Sequence, residues 1–155
     1  MTRVIWSGGV RPPLKIEIGQ PCMVEHVGIE FTEAGDDYLV ATMPVDERTR
    51  QPFGLLHGGA SVVLAETLAS YASACVIDLG TQAAVGLEIN ANHVRGVTHG
   101  RVTGTVKPLH LGRQTHVWEI RIVDDQQRLV CISRCTIAVL SRAASKHNDK
   151  LTTRP

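Results

Sequence analysis

From residue 58 to residue 79 the apolar positions Val62, Ala65, Leu68, Ala69, Ala72 and Val76 recur at helical spacing without a proline. That pattern predicts one long helix, with Gly80 as its stop. On either side the apolar positions alternate instead. Residues 24–31 and 38–44 read as two strands around a hairpin loop at 33–37. Four more read as strands at 85–97, 100–111, 114–124 and 128–140, with breaks at Thr98-His99-Gly100, Leu111-Gly112-Arg113 and Asp124-Asp125-Gln126-Gln127. The polar stretch 45–56, with Pro52 and Gly54, leads into the helix.

Two strands, one helix and four strands make an α+β order. A helix apolar on nearly every side has to be covered. A curved antiparallel sheet of about six strands wrapped around a long central helix would cover it, which is the hotdog arrangement; a roll or a split β-α-β layout fits the same order. The 155 residues suit one domain. Residues 1–22, rich in Gly and Pro, read as a weakly structured leader with a short helical turn near 15–19. Residues 23–141 form the domain, and 142–155, without apolar periodicity, read as a disordered tail.

Composition narrows the function. With 43% apolar residues, 20% charged residues and a formal charge of +1, the chain has no electrostatic case for nucleic acid or an anionic membrane as partner. No apolar run of eighteen residues is free of a charge, and Gly8-Gly9 and Pro12-Pro13 interrupt any secretory signal, so a cytoplasmic location is expected. The four cysteines, Cys22, Cys75, Cys131 and Cys135, lack a CxxC pair. Cys131 and Cys135, on one strand, would stand about 13 Å apart, too far to share a disulfide or a zinc ion. No metal or cofactor is expected.

Glu66 is the one charged side chain between Gly58 and Ile77. A solvated helix face of that length would carry several, so Glu66 is expected to be shielded from water, with Ser70 and Ser73 on the same stripe. A desolvated carboxylate is a stronger base or nucleophile; a structural Glu capped by Ser70, or an ion pair across an oligomer interface, fits the spacing equally. At the helix start, Gly58 and Gly59 leave backbone N–H groups open to a carbonyl oxygen, or merely let the loop enter a crowded helix. Eight residues separate Gly58 from Glu66, about 12 Å along a helix axis. If they act on one carbon, they must come from two chains, with antiparallel helices about a two-fold axis. Gln51 and His57 could add side-chain donors, although a His at this place is more often a cap.

These residues match a known family. The stretches Pro44-Val45-Asp46, QPFGLLHGGASVVLAE (51–66), GLEINANHVR (86–95) and KPLHLG (107–112) resemble the hotdog-fold acyl-CoA thioesterases. The nearest subgroup is the 1,4-dihydroxy-2-naphthoyl-CoA hydrolases of quinone biosynthesis, related to 4-hydroxybenzoyl-CoA thioesterases with a helix Glu. The resemblance covers residues 28–140. It implies Glu66 as nucleophile or general base, the Gly58 amide as the group that polarises the thioester carbonyl, and Gln51 and His57 in support. It implies Ser70 beside the acyl group. It also implies a CoA-binding surface from Gly86, from His93, Val94, Arg95 and Gly96, and from the turn His110, Leu111, Gly112, Arg113, Gln114 and Thr115. The subgroup often has Ser where this chain has Gly96 and Arg113. Read without the family, Arg95, Lys107, His110 and Arg113 are cations at strand ends that phosphates could meet, or scattered surface charges. A homo-oligomer is implied, a dimer at least and a tetramer of two dimers in the family.

Two rival readings share these residues. A hotdog hydratase or dehydratase would use His57 with Glu66 across a dimer, although the HGG context matches the hydrolase better. A non-catalytic acyl-CoA-binding protein would gain nothing from a desolvated carboxylate. With two Trp, two Tyr and two Phe in the whole chain, no aromatic pocket is visible, so the aromatic acyl group rests on the resemblance alone.

Overall fold

A computed structural model of the chain describes residues 4–15 and 20–142. One long helix and a six-stranded sheet account for most of them. The elements run α1 (Met23–His26), β1 (Glu30–Ala34), β2 (Leu39–Pro44), α2 (Gly58–Val76), β3 (Gln82–His93), β4 (Arg101–Leu111), β5 (Thr115–Asp124) and β6 (Leu129–Ser141). The strands lie in the order β1-β2-β4-β5-β6-β3, and every neighbouring pair is antiparallel. Helix α2 packs across β2, β3, β4, β5 and β6. This is the expected hotdog architecture.

Leu64, Ala65, Leu68, Ala69 and Ala72 of α2 are fully buried against Leu39, Ala41 and Met43 of β2, Val102 and Val106 of β4, Trp118, Ile120 and Ile122 of β5, and Ile137 of β6. Gly104 on β4 lets the helix approach: a Cβ there would stand 2.7 Å from Leu68 Cδ1 and 3.3 Å from Leu64 Cδ2. By length and apolar composition α2 would also suit a bilayer span, but its buried face makes it the core helix of the sheet. The opposite face is not covered. Val62, Val63, Thr67, Ser70, Tyr71 and Ala74 stay half-buried, and Glu66 is exposed.

Three boundaries depart from the sequence expectations. The strand expected at 24–31 begins as the helical turn α1, because Val24 and Val27 sit three apart on one side and Gly28, at φ 71°, breaks any extended run; β1 follows at Glu30. Helix α2 ends three residues short of Leu79. Ile77 is already extended, and the Asp78 carboxylate accepts from the Gly80 N–H at 2.9 Å and the Thr81 hydroxyl at 3.0 Å, so an aspartate turn rather than a glycine cap ends the helix. Strand β3 runs 82–93 rather than 85–97. Beyond it, the Val94 and Arg95 amides both reach the Val130 carbonyl, which takes the chain off the ladder.

The leader, expected to be weakly structured, is irregular but docked over its described part. Trp6 is 3% exposed, and its indole N–H donates to the Gly35 carbonyl at 2.7 Å. Ile5 N–H donates to the Asp36 carbonyl, and Arg11 pairs with the Asp36 carboxylate at 2.6 Å. The helical turn placed near 15–19 falls mainly on residues outside those described, as does the tail from 143 onward. All four cysteines are unpaired, with Cys131 and Cys135 buried on β6.

Candidate active site

Helix α2 carries candidate chemistry at two separate places. At its start, His57 is the N-cap, and its Nδ1 accepts from the Gly59 N–H at 2.8 Å. That contact uses the Gly59 amide. The Gly58 amide has no acceptor among the described residues, and it is the first helix donor, at the positive end of the dipole. A Cβ on Gly58 would lie 2.8 Å from His93 Nε2, so only glycine leaves this approach open. A cavity of about 380 Å³ opens here, lined by Gln51, Leu55, Leu56, Gly58, Ser61, His93, Val94, Arg95, Gly96 and Val130. The Gln51 side-chain oxygen accepts from the Phe53 N–H, and its NH₂ has no acceptor among the described residues. Arg95 donates through Nε to the Leu129 carbonyl at 3.3 Å, leaving its terminal nitrogens for an anion.

The second place lies two turns on. Glu66 and Ser70, four residues apart, share a cavity of about 480 Å³ with Met23, Val24, Val63, Thr67 and Tyr71. Gly86 on β3 faces the carboxylate, since a Cβ there would stand 2.7 Å from Glu66 Oε1. The expected shielding of Glu66 is not a property of one chain: the side chain is exposed. The polar stripe also divides. Ser70 opens to the cavity, whereas Ser73 is fully buried. Its Oγ accepts from Trp118 Nε1 at 2.7 Å and lies 3.1 Å from His116 Nδ1. Burial, with the nearby His110 charge, holds the His116 imidazole below its ordinary value. Burial likewise raises the thiol of Cys135, near Glu66 and Glu88, to about 12, so it stays protonated.

One chain therefore unites Gln51, Gly58, His93, Val94, Arg95 and Gly96 at one place and Glu66, Ser70 and Gly86 at another. It does not bring the turn at 110–115 to either. Cross-strand registers place Gly86 beside Ile137, and Ile137 beside His116, whose other neighbour is Leu111. His93, seven residues along β3 and about 23 Å away, lies beside Cys131, whose other neighbour is Ile122. The turn and the His93 segment are thus at opposite ends of the sheet. Sequence reasoning missed Ser61, Leu55 and Val130 in the first cavity and Val63, Thr67 and Tyr71 in the second. Tyr71 was the readable signal, the one aromatic residue in α2.

The fold, the buried helix and the open HGG start together define a thioesterase-type hotdog domain, and the chain belongs to the thioesterase superfamily, whose family model matches residues 53–131. It is a thioester hydrolase. Among its relatives, the 1,4-dihydroxy-2-naphthoyl-CoA hydrolase of Escherichia coli is 53% identical over 137 residues, 88% of this chain and 100% of that one. The proofreading thioesterase EntH of Cronobacter turicensis is 58% identical over 118 residues, covering 76% of this chain and 85% of the relative. The crystal structure of a mutant thioesterase from Pseudomonas aeruginosa superposes with a TM-score of 0.77 at 52% identity, over 77% of this chain and 86% of that one.

Proposed function

We propose that the chain hydrolyses the thioester of an aromatic acyl-CoA, with 1,4-dihydroxy-2-naphthoyl-CoA as first candidate, in sites completed by a second copy. The observation that carries this reading is the separation of the free Gly58 amide from Glu66 along one helix, in two different cavities. The substrate class follows the name of the Escherichia coli relative. The second copy has a place to bind. Among the described residues strand β3 pairs only with β6, and it exposes Val85 (47%) and Leu87 (66%), while the uncovered face of α2 lies alongside. Two β3 strands meeting about a two-fold axis would extend the sheet and set the two helices antiparallel. A tetramer of two such dimers follows the family resemblance. Unpaired cysteines, two of them buried, suit the reducing cytoplasm, where acyl-CoA is found.

In this arrangement the thioester oxygen accepts from the Gly58 N–H of one chain and from the Gln51 NH₂. Both donors strengthen as charge develops on that oxygen. Glu66 of the other chain attacks the carbonyl carbon. The C–S bond breaks, its electron pair leaves on the CoA thiolate, and water then cleaves the mixed anhydride. Alternatively, Glu66 takes a proton from the water that attacks. Either route returns the free acid, CoA thiol and ionised Glu66. His57 supports the site by capping the helix, and its Nδ1 is already engaged, which weighs against the dehydratase role.

The test is complementation. Glu66→Gln and Gly58→Val should each release little thiol from benzoyl-CoA. Unfolding and refolding them together gives heterodimers in half of the dimers, each with one site intact and one doubly broken. Activity should therefore return to about a quarter of the native level. A mixture as inactive as its parents sinks the shared site. A Glu66→Gln enzyme with native rate sinks the catalytic role of Glu66. Single turnover in ¹⁸O-water tests an anhydride that water opens at its glutamyl carbonyl, because that step alone leaves label in the Glu66 carboxylate.

A further inference from the structure

The Glu66 cavity has a neighbour. Across Val24, which lines both, a second cavity of about 370 Å³ opens among Leu14, Lys15, Ile29 and Phe31. An aromatic pair divides them. Tyr71 lines the Glu66 cavity, Phe31 lines the other, and their ring centroids are 4.7 Å apart with a 57° tilt. The Tyr71 ring is also tethered, since its hydroxyl donates to the Pro13 carbonyl at 2.6 Å. Pro13 belongs to the leader, which Trp6 and the Arg11–Asp36 pair fasten to the β1–β2 hairpin. Burial raises the Tyr71 phenol to about 12, with Cys75 adding to the shift, so the hydroxyl remains a donor at any working pH. The ring is thus held by a segment remote in sequence, on the side of Glu66 where an acyl group would lie.

We propose that Tyr71, packed at a tilt against Phe31 and tethered to the Pro13 carbonyl, is the specificity-determining wall of the acyl pocket. It closes the leader cavity off and confines the pocket to short, flat acyl groups. This rests on the reading of Glu66 as the reacting carboxylate. An acyl chain longer than the Glu66 cavity meets the edge of a fixed ring. Removing the ring joins the two cavities into one channel. Removing only the hydroxyl leaves the ring in place but free to swing.

The experiment compares kcat/KM for benzoyl-CoA and dodecanoyl-CoA, read as thiol release, across native protein, Tyr71→Phe and Tyr71→Ala. Native protein should favour benzoyl-CoA. The dodecanoyl-to-benzoyl ratio should rise by at least about tenfold in Tyr71→Ala and by about two- to fivefold in Tyr71→Phe, in line with what a few methylenes are worth in a pocket. An unchanged ratio in Tyr71→Ala overturns the wall. If Tyr71→Ala does not fold, Phe31→Leu thins the same wall from the other side, and an unchanged ratio there overturns it equally. Native protein that releases thiol from neither ester would remove the thioesterase reading itself, and the wall with it, an outcome distinct from an unchanged ratio.

Discussion

Replacing Ser73 with Ala should cost stability and leave chemistry alone, although Ser73 lies only one turn past Ser70. Among the described residues Ser73 Oγ is the sole partner of the buried Trp118 indole N–H, at 2.7 Å, and it also contacts the buried His116 ring at 3.1 Å. Its removal takes that partner from the Trp118 N–H and from His116 Nδ1 in a space where all three residues are at most 2% exposed. A neutral buried group without a partner costs about 1–3 kcal/mol. Alanine's better helix propensity returns roughly 0.5 kcal/mol. The net loss should be about 2–3 kcal/mol, a shift of roughly 30- to 140-fold in the folding equilibrium at about 1.4 kcal/mol per decade. With a urea slope of about 1–3 kcal/mol per molar, the midpoint should fall by roughly 1 M or more. The assay is urea unfolding followed by tryptophan fluorescence at one fixed protein concentration, which holds association constant. Ser70→Ala is the control, since Ser70 faces the Glu66 cavity; it should move stability by under about 0.5 kcal/mol while lowering thioester hydrolysis. Equal losses for the two serines would refute the division of the stripe.

Gly104→Val would press a branched side chain onto Leu68 and Leu64, both fully buried, and should cost at least the 1–3 kcal/mol typical of overpacking; a urea midpoint within 0.2 M, as a rough limit, of native would contradict the close approach. His116 should make stability fall in acid. Its folded value lies below the ordinary 6.5, so the unfolded chain takes up the proton first; the contribution is complete above pH 6.5 and is lost as pH falls from there through the folded value. The drop in urea midpoint from pH 8 to pH 5.5 should therefore shrink in His116→Asn, and an identical drop would exclude His116 as its source. Gly86→Ala should bring a methyl group against Glu66 Oε1 and lower kcat/KM for benzoyl-CoA by about tenfold or more, and native kcat/KM would show that the carboxylate moves aside at no cost.

Periodicity made α2 and strands β3 to β6 legible, because helical spacing and alternation each persist over ten or more residues and the core takes its share of both. Of the shorter pieces, β2 was legible at 38–44, where it runs Leu39–Pro44, and α1 was not. The α1 turn hides in a string of β-branched residues, Val24, Val27 and Ile29, even though the three-residue spacing of the valines fits a helical turn and not the two-residue alternation of a strand. The docked leader was hidden for a different reason. Trp6 is held by the Gly35 carbonyl, a partner that no local pattern announces. Likewise, Ser70 and Ser73 share an angular stripe, and only the position of Trp118 and His116 on β5 determines that one is buried and the other open. The cavity at the helix start gathers Gln51, Gly58 and His93 to Gly96, of which the loop and helix residues stood out in the sequence and the His93–Gly96 segment came from the resemblance. The aromatic wall was not readable, because Tyr71 and Phe31 belong to different elements and meet only through the fold.

The exposure of Glu66 changes what its lone charge means. Sequence reasoning took the missing charges around it as a sign that its own fold buries it, yet α2 spends its buried face on the core and leaves Glu66 on the other. The apolar neighbours Val62, Val63 and Ala74 on that open face are only half-buried among the described residues. Under the two-chain reading they and the β3 edge are covered by the same event that carries the Gly58 amide to Glu66. Desolvation, which strengthens the carboxylate as a base, and the amide that polarises the thioester would then arise together on association. A monomer would keep every residue of the site and lack the site. Its Glu66 would be an exposed carboxylate about 12 Å, or eight helical residues, from its own Gly58 amide.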